Sequence, residues 1–567
     1  MRVSLVSIFT LLACLISSLS TCGQNGAAHT NPAALAEGRS SVVIGTTSPG
    51  AVHAGLEMLK RGGTAADAAV ATALAQVVEC GGCYVSAAGI YGMIYYDAGT
   101  GKTHYLNACY NTVQDETDPA SIPSGGNPSG RSALVPGFMA GIQATHDRFG
   151  KLPRKVVFAP AINMASDGIK VSPLLDRFIA TRSKVLSRLP ETKRLFIKKD
   201  GKYYAEGELF RQPELATTLR AVGDQGAAYM YTGPWAEKFV AAVQREGGKI
   251  TMKDLRAYQP SWEEPVRTMH RGHEVCAGGL SSLGGVNIIE ALHLLDEADL
   301  PRRGNYATSP QSLFWLMQIS HCQVLGFIAP AMLKDFQGLD LLPESRLRKQ
   351  TASAIWKKMN DGNWPFAASL KKDGETPSHS DGVVVADRWG NVAAVTHSIN
   401  TVLWGDTGIF VDGVSIPDSA AIQRDAVGRA GPGKRLPDPM CPLIVLKDGK
   451  PVLGSSAIGG GLHQRTLQML ASVLDFQMDP QAAVEAPTLM LPDYSGGKPV
   501  AQVDQNQYEP KQLAAVRALG QPVKELAPEL AGGVRGYWVG VHIDPNTGLR
   551  RAIGTRRPPI PSVAVGY

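Results

Sequence analysis

Residues 376–400 read TPSHSDGVVVADRWGNVAAVTHSIN. Gly382 to Asp387 (GVVVAD) predicts a strand, Arg388 to Asn391 (RWGN) a turn, and Val392 to Ile399 (VAAVTHSI) the returning strand. Both arms are rich in Val and Ala and almost free of charge, the pattern of strands covered on both faces. A second hairpin follows at Pro442 to Leu453 around Lys447-Asp448-Gly449, and a helical pattern follows at Leu462 to Leu474. Buried hairpins interleaved with helical stretches predict a layered body, with sheets packed together and helices outside.

The polar run just before the first hairpin, Thr376 to Gly382, holds Ser, His and Asp side by side. Neighbours in sequence do not face one another as a triad does, so these residues are not read as one. Two readings remain. One is a polar turn leading into a strand. The other is a cleavage point between His379 and Ser380. A cut there would leave the Ser380 hydroxyl beside its own α-amino group. With a pKa near 8, that amine could act as the general base at neutral pH. Farther along, Gly454 to Gly461 (GSSAIGGG) precedes the Leu462 helix. It reads either as a Gly-rich turn or as a loop whose N–H groups approach an oxyanion closely. A phosphate loop would need Lys and Ser/Thr after the glycines, and Leu462-His463 stand there instead.

Upstream, Ser41 to Thr46 predicts a strand, and Ser48-Pro49 opens a helix that Gly62-Gly63 ends. Thr64 to Asp67 resembles a capping box, and the helix after it (AADAAVATALAQVV) is apolar enough to be buried on most sides. Ile90 to Asp97 and Lys102 to Asn107 predict a hairpin. Gln350 to Glu375 carries little pattern and predicts a mobile connection to the second unit.

Arg2 followed by the apolar run Val3 to Leu19 and small residues to Ala28 has the form of a secretory signal. Export to the periplasm or the exterior is therefore expected, with no membrane span left in the mature chain. Cys14 and Cys22 could each take a lipid anchor, although Thr21 is a poor residue to precede a lipidated cysteine. Gln24 to Ser40 reads as a linker. With 44% hydrophobic and 19% charged residues the body is globular, and no basic run interleaved with aromatics supports nucleic-acid binding. Cys80-Gly81-Gly82-Cys83 has CxxC spacing but no second ligand pair to complete a zinc site. A local disulfide or two small buried residues is the expectation.

The chain from about Ser41 to Tyr567 resembles the gamma-glutamyltranspeptidase family of N-terminal-nucleophile hydrolases. Arg61 to Ala75 (RGGTAADAAVATALA) is close to the family's GGNAVDAAVA block, and Val135-Pro136-Gly137 with Ala140-Gly141 is similar to its PGxxAG segment. Asp387, Gly390-Asn391, Thr396, Ser398 and Asn400 keep the spacing of the block around the family's nucleophile, which places Ser380 at that nucleophile. The resemblance implies an α+β fold, a four-layer αββα sandwich, and autocatalytic cleavage at His379–Ser380. It divides the chain into a signal peptide (1–22), a linker (23–40), a large subunit (41–379) and a small subunit (380–567). It implies transfer of an acyl group, γ-glutamyl from glutathione-like substrates or a related acyl, to water or an amine. No metal or organic cofactor is implied. The substrate implied is a small amide or peptide.

Ser380 is thereby expected as nucleophile and new N-terminus, Ser398 as its hydrogen-bond partner, and Gly459 and Gly460 as the oxyanion hole. Asn400, Asp418 and Asp381 are expected at the substrate. Several positions depart from the family. Ser stands for Thr at the nucleophile, and Asp381 follows it. Leu106 to Asn111 (LNACYN) lacks the arginine that clamps the substrate's α-carboxylate. Asp438-Pro439 replaces a Ser-Ser pair, and Asp412-Gly413-Val414 replaces NNQ. These departures leave a second possibility, a catalytically silent member that binds a small amide.

Overall fold

A computed structural model describes residues 33–327, 333–362, 380–496, 498–557 and 560–567. The signal region, Cys14, Cys22, Thr376, Ser378 and His379 lie outside the described residues. The first sheet runs in the order Ser261–Glu263, Lys102–Ala108, Ile90–Asp97, Val392–Ser398, Asp381–Ala386, Val42–Thr46, Ile560–Gly566. Its neighbours are antiparallel throughout. The chain then folds over at the Arg550–Arg557/Ile560–Gly566 hairpin into a second antiparallel sheet. Tyr537–Ile543, Lys450–Ile458, Leu443–Lys447, His273–Cys276 and Arg267–His270 follow in that order.

Side-chain alternation along each strand sorts residues into three cores. Val384, Ala386, Val392, Ala394, Ile44, Ile444, Val539 and Val541 fill the space between the sheets. From the same first-sheet strands, Val383, Val385, Ala393 and Val395 point the other way, onto the helices Pro49–Lys60 and Ala65–Glu79. On the second sheet Leu443, Val445 and Trp538 face the helices Leu283–Ala298, Pro310–Cys322 and Leu462–Leu470. The expected αββα order of layers is present. Each fully buried aliphatic side chain contributes roughly 1.5–3 kcal/mol, so the two-sided strands dominate stability. Gly454 faces the other sheet. A Cβ there would lie 2.7 Å from Val392 Cγ1 and 3.2 Å from Val384 Cγ1.

Sequence signals and structure agree where the chemistry is local. Thr64 and Asp67 form the full capping box, and Asp67 also accepts from Lys151 N–H (2.9 Å). Asp387 holds the RWGN turn through Trp389 and Asn391 N–H, and its other oxygen takes Ala65 N–H at 2.8 Å. The hairpin turn is thus tied to the start of the buried helix.

Three expectations need correction, and one open pair of readings is resolved. The linker 23–40 contains a strand, Ala33–Gly38, paired antiparallel with Arg550–Arg557 from Ala33–Thr555 to Gly38–Arg550. The partner lies more than 500 residues away, so no local pattern announces it. The patternless stretch from Gln350 begins as a helix, Lys349–Asn360, with Ala352, Ile355 and Met359 buried at helical spacing. Gly454–Ile458 belongs to a strand, which leaves Gly459–Gly461 as the turn. Cys80, Cys83, Cys109, Cys276, Cys322 and Cys441 are buried free thiols, so of the two readings of the CxxC pair the structure has the small buried residues.

Candidate functional site

Ser380 immediately precedes the central Asp381–Ala386 strand. Register pairs Asp381 with His397 and Gly382 with Thr396, so Ser380 stands opposite Ser398 and on the same face. Its Oγ donates to Ser398 Oγ at 2.9 Å. Ser398 Oγ also accepts the Asn400 N–H at 2.9 Å, where Asn400 turns the chain out of the strand with φ +50°. The positive φ is one that Asn tolerates better than most side chains. One hydroxyl thus fixes both the Ser380 side chain and the start of the following loop.

That face looks into the gap between the sheets. Thr396 Oγ1 lies 2.8 Å from Ser456 Oγ, and a Cβ on Gly382 would lie 2.9 Å from the same oxygen. Gly454 sits over Val384 and Ser456 over Gly382, and Ile458 continues that face of the strand, with Gly459 following it. Gly459 has φ +86°, and a Cβ there would meet Arg535 O at 2.5 Å. One on Gly460 would meet Gly533 O at 2.4 Å. Only glycine fits this turn, which leads directly into the N-terminus of Leu462–Leu470.

The opposite face of the same strands is closed. His397 points into the helix layer, its Nε2 2.8 Å from Gln76 Oε1, and burial lowers its pKa to about 3. It is neutral and faces away from Ser380, so it is not a base for that hydroxyl. Asp381 shares this face. Its Oδ1 accepts from Thr46 Oγ1 and Thr47 Oγ1, both at 2.7 Å, and Thr46 Oγ1 accepts Gly382 N–H. Burial, with the Cys80 thiol next in weight, pushes its carboxyl well above the usual range. The expected substrate contact of Asp381 is therefore corrected: strand alternation sends its side chain away from Ser380, into the packing against the Ala65–Glu79 helix.

Asp418 is corrected on similar grounds. Its oxygens accept from Thr401 Oγ1 (2.6 Å) and Asp406 N–H (2.9 Å), and burial raises its pKa. It pins the loop that leaves Asn400 instead of presenting a free carboxylate. Ile399 O, between Ser398 and Asn400, receives Tyr110 Oη at 3.0 Å and Ser419 Oγ at 2.6 Å. Sequence reasoning missed Thr401, Tyr110 and Ser419. Of these, Tyr110 lies inside the stretch singled out for its lack of arginine.

Two departures from the family touch one another. Cys109 Sγ lies 3.0 Å from Asp438 Oδ2, and Asp438 Oδ1 accepts Met440 N–H at 2.8 Å. Burial raises the Asp438 pKa to about 6. Cys109 and Tyr110 pack with Ile90, Leu436 and Met440, and Ile90 is the Cα partner of Ser398. An open recess of about 540 Å³ around Tyr95, Lys102, His104, Arg148 and Asn391 lies at the turn end of the hairpin. Ser380 is roughly 20 Å away at the other end, at about 3.3 Å per residue. Among the described residues, no cluster of three or more His, Cys, Asp or Glu side chains could hold a metal.

Comparison with known proteins places these features. The family model described as gamma-glutamyltranspeptidase matches residues 51–545. The glutathione hydrolase proenzyme of Escherichia coli (strain K12) is 26% identical, over 88% of each chain. The acylase ACY 1 proenzyme of Pseudomonas sp. (strain SE83) is 28% identical, over 80% of this chain and 82% of its own. Among solved structures, the cephalosporin acylase of Bacillus halodurans superposes with TM-score 0.77 at 22% identity, over 94% of this chain and 97% of its own, a likeness of fold.

Proposed function

Because the chain belongs to the gamma-glutamyltranspeptidase family, we propose that its precursor opens itself between His379 and Ser380 and that Ser380 then carries the acyl group. Ser380 Oγ attacks the carbonyl carbon of His379, the amide rearranges to an ester, and water releases a new N-terminal Ser380. In turnover the same oxygen attacks a substrate amide. The Ser380 α-amine takes the hydroxyl proton and returns it to the departing amine. The resulting ester is resolved by water, giving hydrolysis, or by an amine, giving transfer. Gly459 and Gly460 N–H groups stabilise the oxyanion.

The observation that carries this reading is the 2.9 Å bond from Ser380 Oγ to Ser398 Oγ at the head of the central strand, facing the inter-sheet gap. Residues 1–22 act as the export signal. Among the described residues, no helix is long and apolar enough to cross a membrane.

The acyl group is one without a free α-carboxylate. The stretch Leu106–Asn111, where the resemblance puts the carboxylate-clamping arginine, carries Cys109 against the Asp438 carboxyl instead, and a carboxylate there repels an anion that a guanidinium would hold. Asn400, at the mouth of the turn, is the direct substrate contact. The test is intact mass and N-terminal sequencing of purified protein and of Ser380→Ala, followed by turnover of 4-aminobutyryl- and γ-glutamyl-p-nitroanilide, which differ only in the α-carboxylate. Two chains in the wild type, the smaller beginning Ser-Asp-Gly-Val, and one in Ser380→Ala support the cleavage. Faster release from the 4-aminobutyryl than from the γ-glutamyl anilide supports the acyl preference. A single wild-type chain that takes no covalent label refutes the proposal.

A further inference from the structure

Behind the glycine turn runs a buried polar chain that the chemistry above does not use. Arg346 and Glu290, each about 1% exposed, form a bidentate pair at 2.6 and 3.0 Å. Arg346 Nη2 also donates to Asn287 Oδ1 at 2.6 Å. Arginine has no acceptor, so this bond fixes which way the Asn287 amide points. Its Nδ2 then donates to Gln323 O (2.9 Å) and to His463 Nδ1 (3.2 Å). With Nδ1 accepting, the imidazole proton sits on Nε2, which donates to Pro439 O at 2.6 Å. Gln323 Nε2 closes the circuit on His463 O at 3.2 Å.

The two ends of this chain are the two walls of the site. His463 is two residues past Gly461, in the first turn of the Leu462–Leu470 helix. Pro439 lies between Asp438, which meets Cys109, and Met440, whose carbonyl accepts Ser282 Oγ at 2.9 Å. Burial holds the ring neutral, with its pKa lowered to about 4, so the tautomer is constant across ordinary pH. A neutral ring suits the role, since it adds no charge beside an oxyanion loop. It also lets one N–H and one lone pair join two segments that lie beyond the end of the Leu443–Lys447/Lys450–Ile458 ladder.

We propose that His463 is a positioning residue, which holds the Gly459–Gly461 turn in register with the Asp438–Met440 wall through the Arg346–Asn287–His463–Pro439 chain. This rests on the acyl-transfer reading above. Gly461, the helix N-cap, has no side chain to cap the first turn, and the turn's own backbone bonds are long, Leu462 N–H to Gly459 O at 3.2 Å and Gly461 N–H to Arg535 O at 3.4 Å. Freed from Pro439, the helix start can shift, and a displacement of about 1 Å at a reacting centre lowers rate by about 100-fold.

The test compares wild type, His463→Ala and His463→Gln on whichever of the 4-aminobutyryl and γ-glutamyl p-nitroanilides the wild type turns over. The expected result is kcat lower by about 10–100-fold in His463→Ala with KM within about twofold. His463→Gln, whose amide N–H reaches toward Pro439 O, should recover most of the loss. An active wild type with His463→Ala kcat within about twofold overturns the proposal. So does a loss in His463→Ala that is matched by His463→Gln, since that marks a packing role. An uncut wild type inert toward both anilides removes the acyl-transfer reading itself, and the proposal with it.

Discussion

His270 offers a pH-dependent stability that can be worked out from its surroundings. The ring is fully buried between the Arg267–His270 strand and two helical segments. Nε2 is 2.9 Å from Asp475 Oδ2, and Nδ1 is 2.8 Å from Asp296 Oδ1, the latter an ion-pair contact outside hydrogen-bond direction. Arg271 Nε adds a second cation on Asp475 at 2.9 Å. Burial opposes the charged ring, but the two carboxylates outweigh it and raise the pKa from 6.5 to about 9. At about 1.4 kcal/mol per tenfold change in proton affinity, that rise is worth about 3 kcal/mol.

The sign follows from the direction. A group whose folded pKa is raised gives its full stabilisation below the unfolded value, near 6.5, and loses it as pH rises through about 9. With an unfolding entropy of about 2 cal/mol/K per residue, a chain of 567 residues melting as one unit should lose about 3 °C over that window. The assay is calorimetry from pH 6 to 9.5 on Ser380→Ala, so that self-cleavage does not split the transition. His270→Gln removes the titration, and its melting temperature should stay level while the parent falls toward it. Parallel pH profiles for the two proteins would refute the reasoning.

Other perturbations are as direct. Ser398→Ala leaves the Asn400 N–H and the Ser380 hydroxyl without their shared acceptor, about 1–3 kcal/mol, so kcat should fall by about 10–100-fold in anilide turnover while Ser380 remains the labelled residue. Asp438, raised to about 6 by burial, contributes nothing below its unfolded pKa of 3.8 and destabilises as pH climbs to about 6. Urea denaturation should show Asp438→Asn gaining about 3 kcal/mol on the parent across that window and holding the gain above it. Gly454→Ala drives a methyl to within 2.7 Å of Val392 Cγ1 between two packed sheets, and denaturant midpoints should report a loss of about 1–3 kcal/mol.

Much of the site is legible in the amino-acid sequence alone. The two-sided hairpin at 380–400 announces itself through Val-rich arms and an Asp-Arg-Trp-Gly-Asn turn, because strand alternation and turn chemistry act over a few residues. Ser380, Ser398 and Asn400 stand at spacings that antiparallel register converts into contact, and Gly459-Gly460 reads as a backbone turn. The capping box at Thr64–Asp67 is visible for the same reason. The order of the four layers comes from the resemblance, not from periodicity, since a buried strand carries no mark of which layer covers which face.

Tertiary structure decides everything that depends on partners far apart in the chain. Ala33–Gly38 is a strand only because Arg550–Arg557 lies beside it. Asp381 and Asp418 look like substrate groups as letters, yet the pleat sends one away from the nucleophile and a loop consumes the other. Cys109 and Asp438, or Arg346, Asn287, His463 and Pro439, are ordinary residues at scattered positions. Their meaning arises from desolvation: once buried, each donor and acceptor must find a mate, and the fold alone determines which mates are within about 3 Å.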